Sequence, residues 1–392
     1  MLTESQENAI VDIMDFLSDP IRDIHCLSGS PGTGKSFLIT EALLPILHMK
    51  NWNILVTATT NKAASLLHGQ TLCKAFGIGL KVNYDTGVQT YDTSKSRHIG
   101  HTFIIVDEAS MLEKYLWQLV TERAHKCKFL LVGDKYQLPA IKSGLNVFDT
   151  YPCSMLTEVV RQNSKEFINQ IDKVKQGVID KKVTLPDSCP EIKFVRDEDK
   201  LHIRELLKSF GQKDKVLCYT NAAVNLYNKN IRKLKGKTEA LGAGDVVMAR
   251  NYAENALGES SYSDEELIIE DLSNEYVLTL VGKYGNYHIK VRDVKFRNKK
   301  GNFKQFMNYD EWDKMLKTLA AVKDWKAYYE CKEHLIDIRS AEACTVHCSQ
   351  GSTYDRVFID LNDIMSCKQT SVKTRLLYVA LSRAKKEAYI YG

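Results

Sequence analysis

Residues 25 to 40, "HCLSGSPGTGKSFLIT", constrain the fold of this chain more than any other stretch. Gly29 is followed, after four residues, by Gly34, Lys35 and Ser36. An apolar run from Ile24 to Leu27 reads as a strand before this turn, and Phe37 to Leu44 reads as a helix after it. A glycine turn in that context lets backbone N–H groups close around an anion at the positive end of a helix dipole. Lys35 can then reach the β- and γ-phosphates of a nucleotide, and the Ser36 hydroxyl can hold Mg²⁺. Gly29, Ser30, Pro31, Gly32, Thr33, Gly34, Lys35 and Ser36 are the candidate cradle. The plainer alternative is a glycine turn with a chance Gly-Lys pair.

Short β-rich runs recur downstream: "NILVTA" (53 to 58), "FIIVDEAS" (103 to 110) and "KFLLVGD" (128 to 134), each followed by a polar or glycine-containing turn. Apolar strands alternating with helical segments predict an α/β fold built on a parallel sheet. In such sheets ligands lie beyond the carboxyl ends of the strands, where Lys35, Asp107, Glu108 and Asp134 fall. Asp107 suits the Mg²⁺ shell, and Glu108 suits orienting and deprotonating an attacking water. The pair could instead cap the helix read in "SMLEKYLWQLV". In "GDKYQLPA" (133 to 140), Gln137 is an uncharged side chain suited to sensing a γ-phosphate.

At 392 residues the chain exceeds what one core serves, so two or more domains are expected. No apolar run is long enough for a membrane span, and the start "MLTESQENAI" is too polar for a signal peptide, which predicts a cytoplasmic protein without membrane contact. Ten cysteines without a CxxC pair read as reduced thiols. Cys331 with His334 and Cys344 with His347 repeat a CxxH spacing that is only loosely zinc-like. The net charge is +5, and "KVRDVKFRNKKGNFK" (290 to 304) and the lysines between 208 and 237 form basic stretches that suit a polyanion or a solvated loop.

Further segments complete an ordered series: Thr3 to Gln6, "VTATTNKAA" (56 to 64), "VDEASM", "GDKYQLPA", "LTEVVRQ" (156 to 162), "TVHCSQGSTYD" (345 to 355) and "YVALSRAKK" (378 to 386). In this order they resemble the motifs of superfamily 1 helicases, in particular the RecD-like branch that includes the Dda helicases of tailed phages. The resemblance spans essentially the whole chain. It implies two RecA-like motor domains with ATP and Mg²⁺ between them, movement 5′ to 3′ along single-stranded DNA, and separation of duplex at a junction. Replication, recombination or repair in a phage-type setting is the implied context, with single-strand-binding or replication and recombination proteins as partners. A monomer in the host cytoplasm is expected.

By the same resemblance, Gln6 reads adenine, although Thr3 and Gln6 also spell a capping box. Arg161 and Arg383 stabilise the transferring phosphoryl group from outside the first domain, the alternative for either being a surface salt bridge. Gln137 and Gly351 join them at the nucleotide. Thr59, Asn61, Lys62, Thr71, Thr220, Asn221, Thr345, His347, Ser349 and Gln350 are the implied DNA contacts, and their hydroxyls, amides and single lysine suit phosphate and sugar. A second α/β unit is read from "KVLCYT" (215 to 220), "RVFIDL" (356 to 361) and "EAYIYG" (387 to 392), with helices near 221 to 233 and 374 to 380.

The expected division is 1–71 with 103–155 for the first motor domain and 156–250 with 341–392 for the second. The insertion 72–102 has a hairpin signal at Asp85-Thr86-Gly87. In the resembling helicases this place holds a duplex-splitting pin, so Tyr84 or Tyr91 could stack on the last base pair; an ordinary surface hairpin is the rival. The insertion 251–340 resembles an SH3-like barrel with a helical segment from Asn308 to about Ile338. Cys348 and Cys73 stand where the family usually has lysine and histidine, which bears on DNA grip rather than on ATP chemistry. A translocase that strips proteins with weak unwinding, an ATP-gated loading module, and RNA as the strand remain alternatives.

Overall fold

The computed structural model describes residues 2–83, 86, 88–139, 146–160, 164–195, 205, 207–238 and 240–392. Arg161, Tyr84, Asp85 and Gly87 lie outside the described residues. The chain divides into two compact units, one of Met1–Gly79, Thr93–Asn225 and Cys344–Gly392, the other of Leu80–Asp92 and Leu226–Ala343.

The first unit contains two sheets. Six strands run in the order Cys153–Leu156, Ile24–Gly29, Lys128–Gly133, Phe103–Asp107, Ile54–Ala58, Gln70–Thr71, and every neighbouring pair is parallel. All of Phe103–Asp107 is buried, as expected for a strand covered on both faces. Leu27, Ile105, Leu130 and Val132 meet Ile13 and Phe16 of the helix Glu4–Ser18 in one apolar cluster. Cys153–Leu156 and Gln70–Thr71 are strands that the hydrophobic pattern leaves unmarked, because each is too short to show a period.

The second sheet runs Ile192–Val195, Ala384–Tyr391, Tyr354–Asp360, Asp214–Cys218, Ala343–Thr345. Its first three neighbouring pairs are parallel. The helix expected near 374 to 380 is longer, Thr370–Ser382.

The other unit is antiparallel in the main. Its sheet follows the path Leu335–Ile336, Asn302–Phe306, Gly285–Phe296, Glu266–Leu272, Val246–Ala249, Ile338–Ser340, with Tyr276–Gly282 paired to Gly285–Phe296. The two ends of this path are separated in sequence only by Asp337, so the sheet curls back on itself. Val247, Leu267, Ile269, Phe296, Phe303 and Ile338 fill its inside.

The single helical segment expected from Asn308 to Ile338 is two helices, Tyr309–Ala321 and Trp325–His334, followed by strand. Lys323 sits at φ 55, in the left-handed region, and the Asp324 side chain caps the second helix on Ala327 N–H. Leu335 and Ile336 are drawn into pairing with Lys304 and Gln305, which overrides any helical period. The hairpin read around Asp85 to Gly87 has strands Gly79–Val82 and Gln89–Asp92, joined also by Asn83 N–H donating to Val88 O at 2.9 Å.

Candidate active site

The loop after Ile24–Gly29 is built by its glycines. Gly32 and Gly34 sit at φ 88 and 80, a region that side-chain-bearing residues rarely enter. A Cβ at Gly29 would lie 2.5 Å from Thr33 Oγ1 and 2.9 Å from Leu156 Cβ. Thr33 is fully buried, and its hydroxyl donates to Ser30 O at 2.9 Å, holding the curve from within. Lys35 Nζ donates to Gly29 O at 2.7 Å and to Ser30 O at 3.2 Å, which aims the ammonium across the mouth of the loop. Such a narrow glycine cradle with a lysine across it fits the phosphates of a nucleotide.

Beside it, the strand Phe103–Asp107 ends on two carboxylates. Asp107 Oδ1 accepts the Glu108 N–H at 2.8 Å. Glu108 stands at φ 52, a left-handed conformation costly for a residue with a Cβ. It is fixed there by Thr59 Oγ1 donating to Glu108 O at 2.9 Å, while Thr59 N–H donates to Asp107 O at 3.1 Å. Burial, then repulsion from Asp107, pushes the Glu108 carboxyl up to about 7; Lys35 and Arg383 oppose this. Burial likewise raises Asp107 and lowers Lys35, the latter drawn back up by Asp134, Glu108 and Asp107. Neither carboxylate caps the following helix. Glu108 makes no side-chain cap on Ala109–Met111, and the helix beyond is Lys114–Thr121.

Arg383 arrives from the second sheet. It closes the helix Thr370–Ser382 and is 2% exposed, so the surface salt-bridge alternative does not hold for it. Its Nε donates to Val379 O at 3.2 Å, Nη1 to Ser352 O at 3.3 Å and Nη2 to Ser382 Oγ at 3.1 Å. Desolvation lowers the guanidinium and the Glu108 carboxylate is the strongest charge opposing that; a guanidinium nevertheless stays cationic. Gly351 passes beside the same carboxylate, since a Cβ on it would lie 3.5 Å from Glu108 Oε1. One buried cluster therefore combines Lys35, Asp107, Glu108 and Asp134 from the first sheet with Arg383 from the second.

The turn after Lys128–Gly133 is clamped by the second sheet's elements. Tyr378, fully buried, donates its hydroxyl to Asp134 Oδ2 at 2.9 Å. Arg375 Nη1 donates to Lys135 O at 2.8 Å and Gln137 O at 2.5 Å. Gln350 Nε2 donates to Gln137 Oε1 at 3.4 Å and to Leu138 O at 3.3 Å. Arg375 and Tyr378 were not among the residues singled out from sequence, although their spacing of three on one helix puts them on one face. Lys175, from the helix Lys165–Ile179, donates to Ser30 Oγ at 3.2 Å and pairs with Asp172 at 2.8 Å. Nothing in its sequence context marks it.

Gln6 makes the capping box: its Oε1 accepts Thr3 N–H at 3.1 Å. Its Nε2 also donates to Thr33 O at 2.9 Å, so the side chain touches the phosphate loop as well. Glu158 accepts from Thr3 Oγ1, Ser5 N–H and Ser5 Oγ at the start of the same helix. Val160 N–H donates to Gly32 O at 2.8 Å, which brings the residue preceding Arg161 onto the loop.

The candidate strand contacts divide by exposure. Thr59, Lys62 and His347 are half-buried and Asn61 and Asn221 exposed. Lys62 Nζ donates to Ser352 Oγ. Thr71 caps Leu72–Phe76 by accepting Lys74 N–H at 3.3 Å. Thr220 is held by Asp363, with Oγ1 donating to Oδ1 at 2.8 Å. Thr345, Ser349 and Gln350 are buried, with the Ser349 hydroxyl on Val346 O at 2.7 Å. Burial alone lowers His347, whose ring lies 6.5 Å from that of Tyr219. Cys348 Sγ accepts the Thr345 hydroxyl at 3.0 Å, a packing role in place of a surface charge. Tyr91 is half-buried. All ten cysteines are free, and among the described residues no His, Cys, Asp and Glu cluster can hold a metal ion. Among those residues no helix is long and apolar enough to cross a membrane.

Residues 1–197 match a family model described as the AAA domain, and residues 340–391 one described as the UvrD-like helicase C-terminal domain. The chain is 24% identical over 414 residues to the ATP-dependent DNA helicase Pif1 of Campylobacter jejuni, covering 91% of this chain and 86% of that protein. It is 32% identical over 148 residues to the ATP-dependent RecD2 DNA helicase of Deinococcus radiodurans, covering 37% of this chain and 20% of that one. The crystal structure of Pif1 helicase from Bacteroides in complex with ADP-AlF3 and ssDNA shares the fold at TM-score 0.53 and 20% identity, covering 100% of this chain and 92% of that one. The two parallel sheets are thus RecA-like. Because the AAA-domain match spans half of its length, the chain belongs to that family, as a Pif1-like helicase of superfamily 1B and an ATP-dependent DNA helicase.

Proposed function

We propose that this protein translocates 5′ to 3′ on single-stranded DNA and separates duplex, with ATP held between its two parallel sheets. The observation that carries this reading is the meeting of Lys35, Asp107 and Glu108 with Arg383, because nucleotide binding alone needs no cation from a second sheet. Lys35 and the loop Gly29–Ser36 would hold the phosphates, and Gln6, already on Thr33 O, would turn to adenine at the cost of its cap. Ser36 and Asp107 would hold Mg²⁺, which neutralises phosphate charge. Glu108 accepts a proton from the attacking water at a carboxylate oxygen, and its raised pKa makes it a stronger base than an exposed glutamate. Arg161 and Arg383 would stabilise charge on the transferring phosphoryl group.

Motion is the consequence. The turn carrying Gln137 is tied to Gln350, Arg375 and Tyr378, so a change at the γ-phosphate reaches the segment Thr345–Gln350 through direct bonds. Of the proposed strand contacts, Asn61, Lys62, Asn221 and His347 present polar atoms best suited to the sugar-phosphate track. Thr59, whose hydroxyl is on Glu108 O, and Thr71, Thr220, Thr345, Ser349 and Gln350 would act mainly by shaping it, and Tyr84 or Tyr91 would meet the junction. We assign 1–71 with 103–155 and 156–250 with 341–392 to the motor domains, 72–102 to the pin and 251–340 to an SH3-like insertion, whose sheet also takes in Val246–Ala249 from before that boundary. The polarity, the Dda-like placement, action in replication, recombination or repair in a host cytoplasm, monomeric operation and partner proteins rest on the resemblance of the motif series.

The test measures ATP hydrolysis with and without single-stranded DNA beside displacement from duplexes tailed 5′ or 3′. Strong stimulation with displacement from the 5′ tail alone is expected. Displacement from the 3′ tail reverses the polarity, and stimulated hydrolysis without displacement reduces the protein to a translocase.

A further inference from the structure

A hollow of about 590 Å³ lies in the second unit, lined by Val281, Gly282, Lys283 and Tyr284 on a hairpin turn and by Lys323 to Ala327 at a helix joint. That volume is within the roughly 300–1,000 Å³ of small-ligand sites. Its wall carries three lysines, Lys283, Lys323 and Lys326, none with a carboxylate partner among the described residues. The single acid, Asp324, is engaged by backbone: it accepts Lys283 N–H at 2.5 Å and Ala327 N–H at 3.3 Å. The start of the helix Trp325–His334 faces the same place and adds positive dipole.

Two aromatic rings complete the wall. Tyr284 is 61% exposed, with Lys283 Nζ 5.1 Å from its ring centre. Trp325 lines the hollow, its ring held edge-on against Tyr328 at 5.5 Å between centres. The surroundings share the sign of the lysines. Residues 276–334 hold 13 Lys and Arg against 7 Asp and Glu, a surplus of six against a net charge of +5 for the whole chain.

We propose that this hollow binds single-stranded DNA through residues distinct from those assigned to the motor track. Phosphate lies against Lys283, Lys323 and Lys326, and a base stacks on Tyr284. Cations beside an exposed aromatic face are the physical requirements of sequence-independent single-strand binding. Unpaired ammonium groups around an already satisfied aspartate exclude a cationic ligand. The proposal rests on the DNA-helicase reading of the chain.

The test titrates labelled oligo-dT at several salt concentrations against the wild type, the triple variant K283A/K323A/K326A and Y284A, with DNA-stimulated ATP hydrolysis read in parallel. Each of three lost phosphate contacts removes about 0.7 from the slope of log affinity on log salt, so the triple variant should lose about 2 in slope and bind about tenfold more weakly. Y284A should weaken binding about fivefold with the slope unchanged, as lost stacking would. Turnover at saturating DNA should match wild type in both. Wild-type affinity and slope in both variants overturn the proposal. So does unchanged DNA binding together with lost binding of poly-glutamate, which would assign the hollow to an acidic protein segment. Hydrolysis indifferent to DNA in the wild type would instead count against the motor reading, and the binding slopes would still decide the hollow.

Discussion

The cleft cluster and the curled antiparallel sheet use charge in opposite ways. Around Lys35, Glu108, Asp134 and Arg383, opposite charges are buried together, and the acids and cations bear on the titration of Lys35, Glu108 and Arg383. In the insertion, lysines such as Lys283 and Lys326 stand at the surface beside an apolar interior of Ile289, Val291, Leu316, Leu319 and Ala327, and the curled sheet has its own core of Leu267, Ile269, Phe296 and Phe303. Buried charges must be matched in place, so the first region tolerates little change in residue type or spacing. Exposed charges in the second need only be numerous. Chemistry is expected to fail in the first region and stability or grip in the second.

The largest effect should come from R383A, which removes the cation facing Glu108; kcat for DNA-stimulated hydrolysis should fall about 10³–10⁵-fold. R383K should recover little, because an ammonium lacks the planar fork. E108Q comes next, with a loss of about 10²–10⁴-fold in kcat and nucleotide affinity retained, read by steady-state turnover and ATP titration. F303A belongs to the other region: it should cost about 3–5 kcal/mol of stability in denaturant unfolding, and a catalytic loss as large as that of E108Q would break the comparison. Y378F is smaller, about 1–3 kcal/mol, because Asp134 loses a buried donor. Its sharper readout is DNA stimulation, which should fall more than basal hydrolysis.

The pH dependence is the subtlest. Burial pushes Glu108 up to about 7, and only the deprotonated form takes a proton from water. Single-turnover hydrolysis should therefore drop as pH falls through about 7, and E108Q should lack that limb. An acid limb that persists in E108Q would mean that Glu108 is not the base.

Much of the cleft was legible in the sequence because its demands are local. Gly34 must reach φ 80, and the strand end at Asp107 must put two carboxylates side by side; residue type at fixed spacing records both. The clamp of Arg375, Tyr378 and Gln350 on the turn after Gly133 joins residues more than two hundred positions apart, so no spacing marks it. The motif around Gln350 gives residue type without direction; in the fold its amide donates to Gln137 Oε1, a contact no spacing announces. Thr220 and Ser349 carry hydroxyls suited to phosphate, yet local bonds to Asp363 and Val346 O use them. The break between the helices of the insertion escaped the sequence pattern because it depends on Lys323 at φ 55, a conformation no lysine advertises.

The most direct test of the claim that both sheets form one catalytic unit is a double-mutant cycle. The single-turnover rate of ATP hydrolysis on saturating single-stranded DNA would be compared for E108Q, R383A and E108Q/R383A. Residues acting as a unit are strongly non-additive, so the double variant should be no slower than the slower single variant. Losses that multiply would contradict the account, since Glu108 and Arg383 would then act independently.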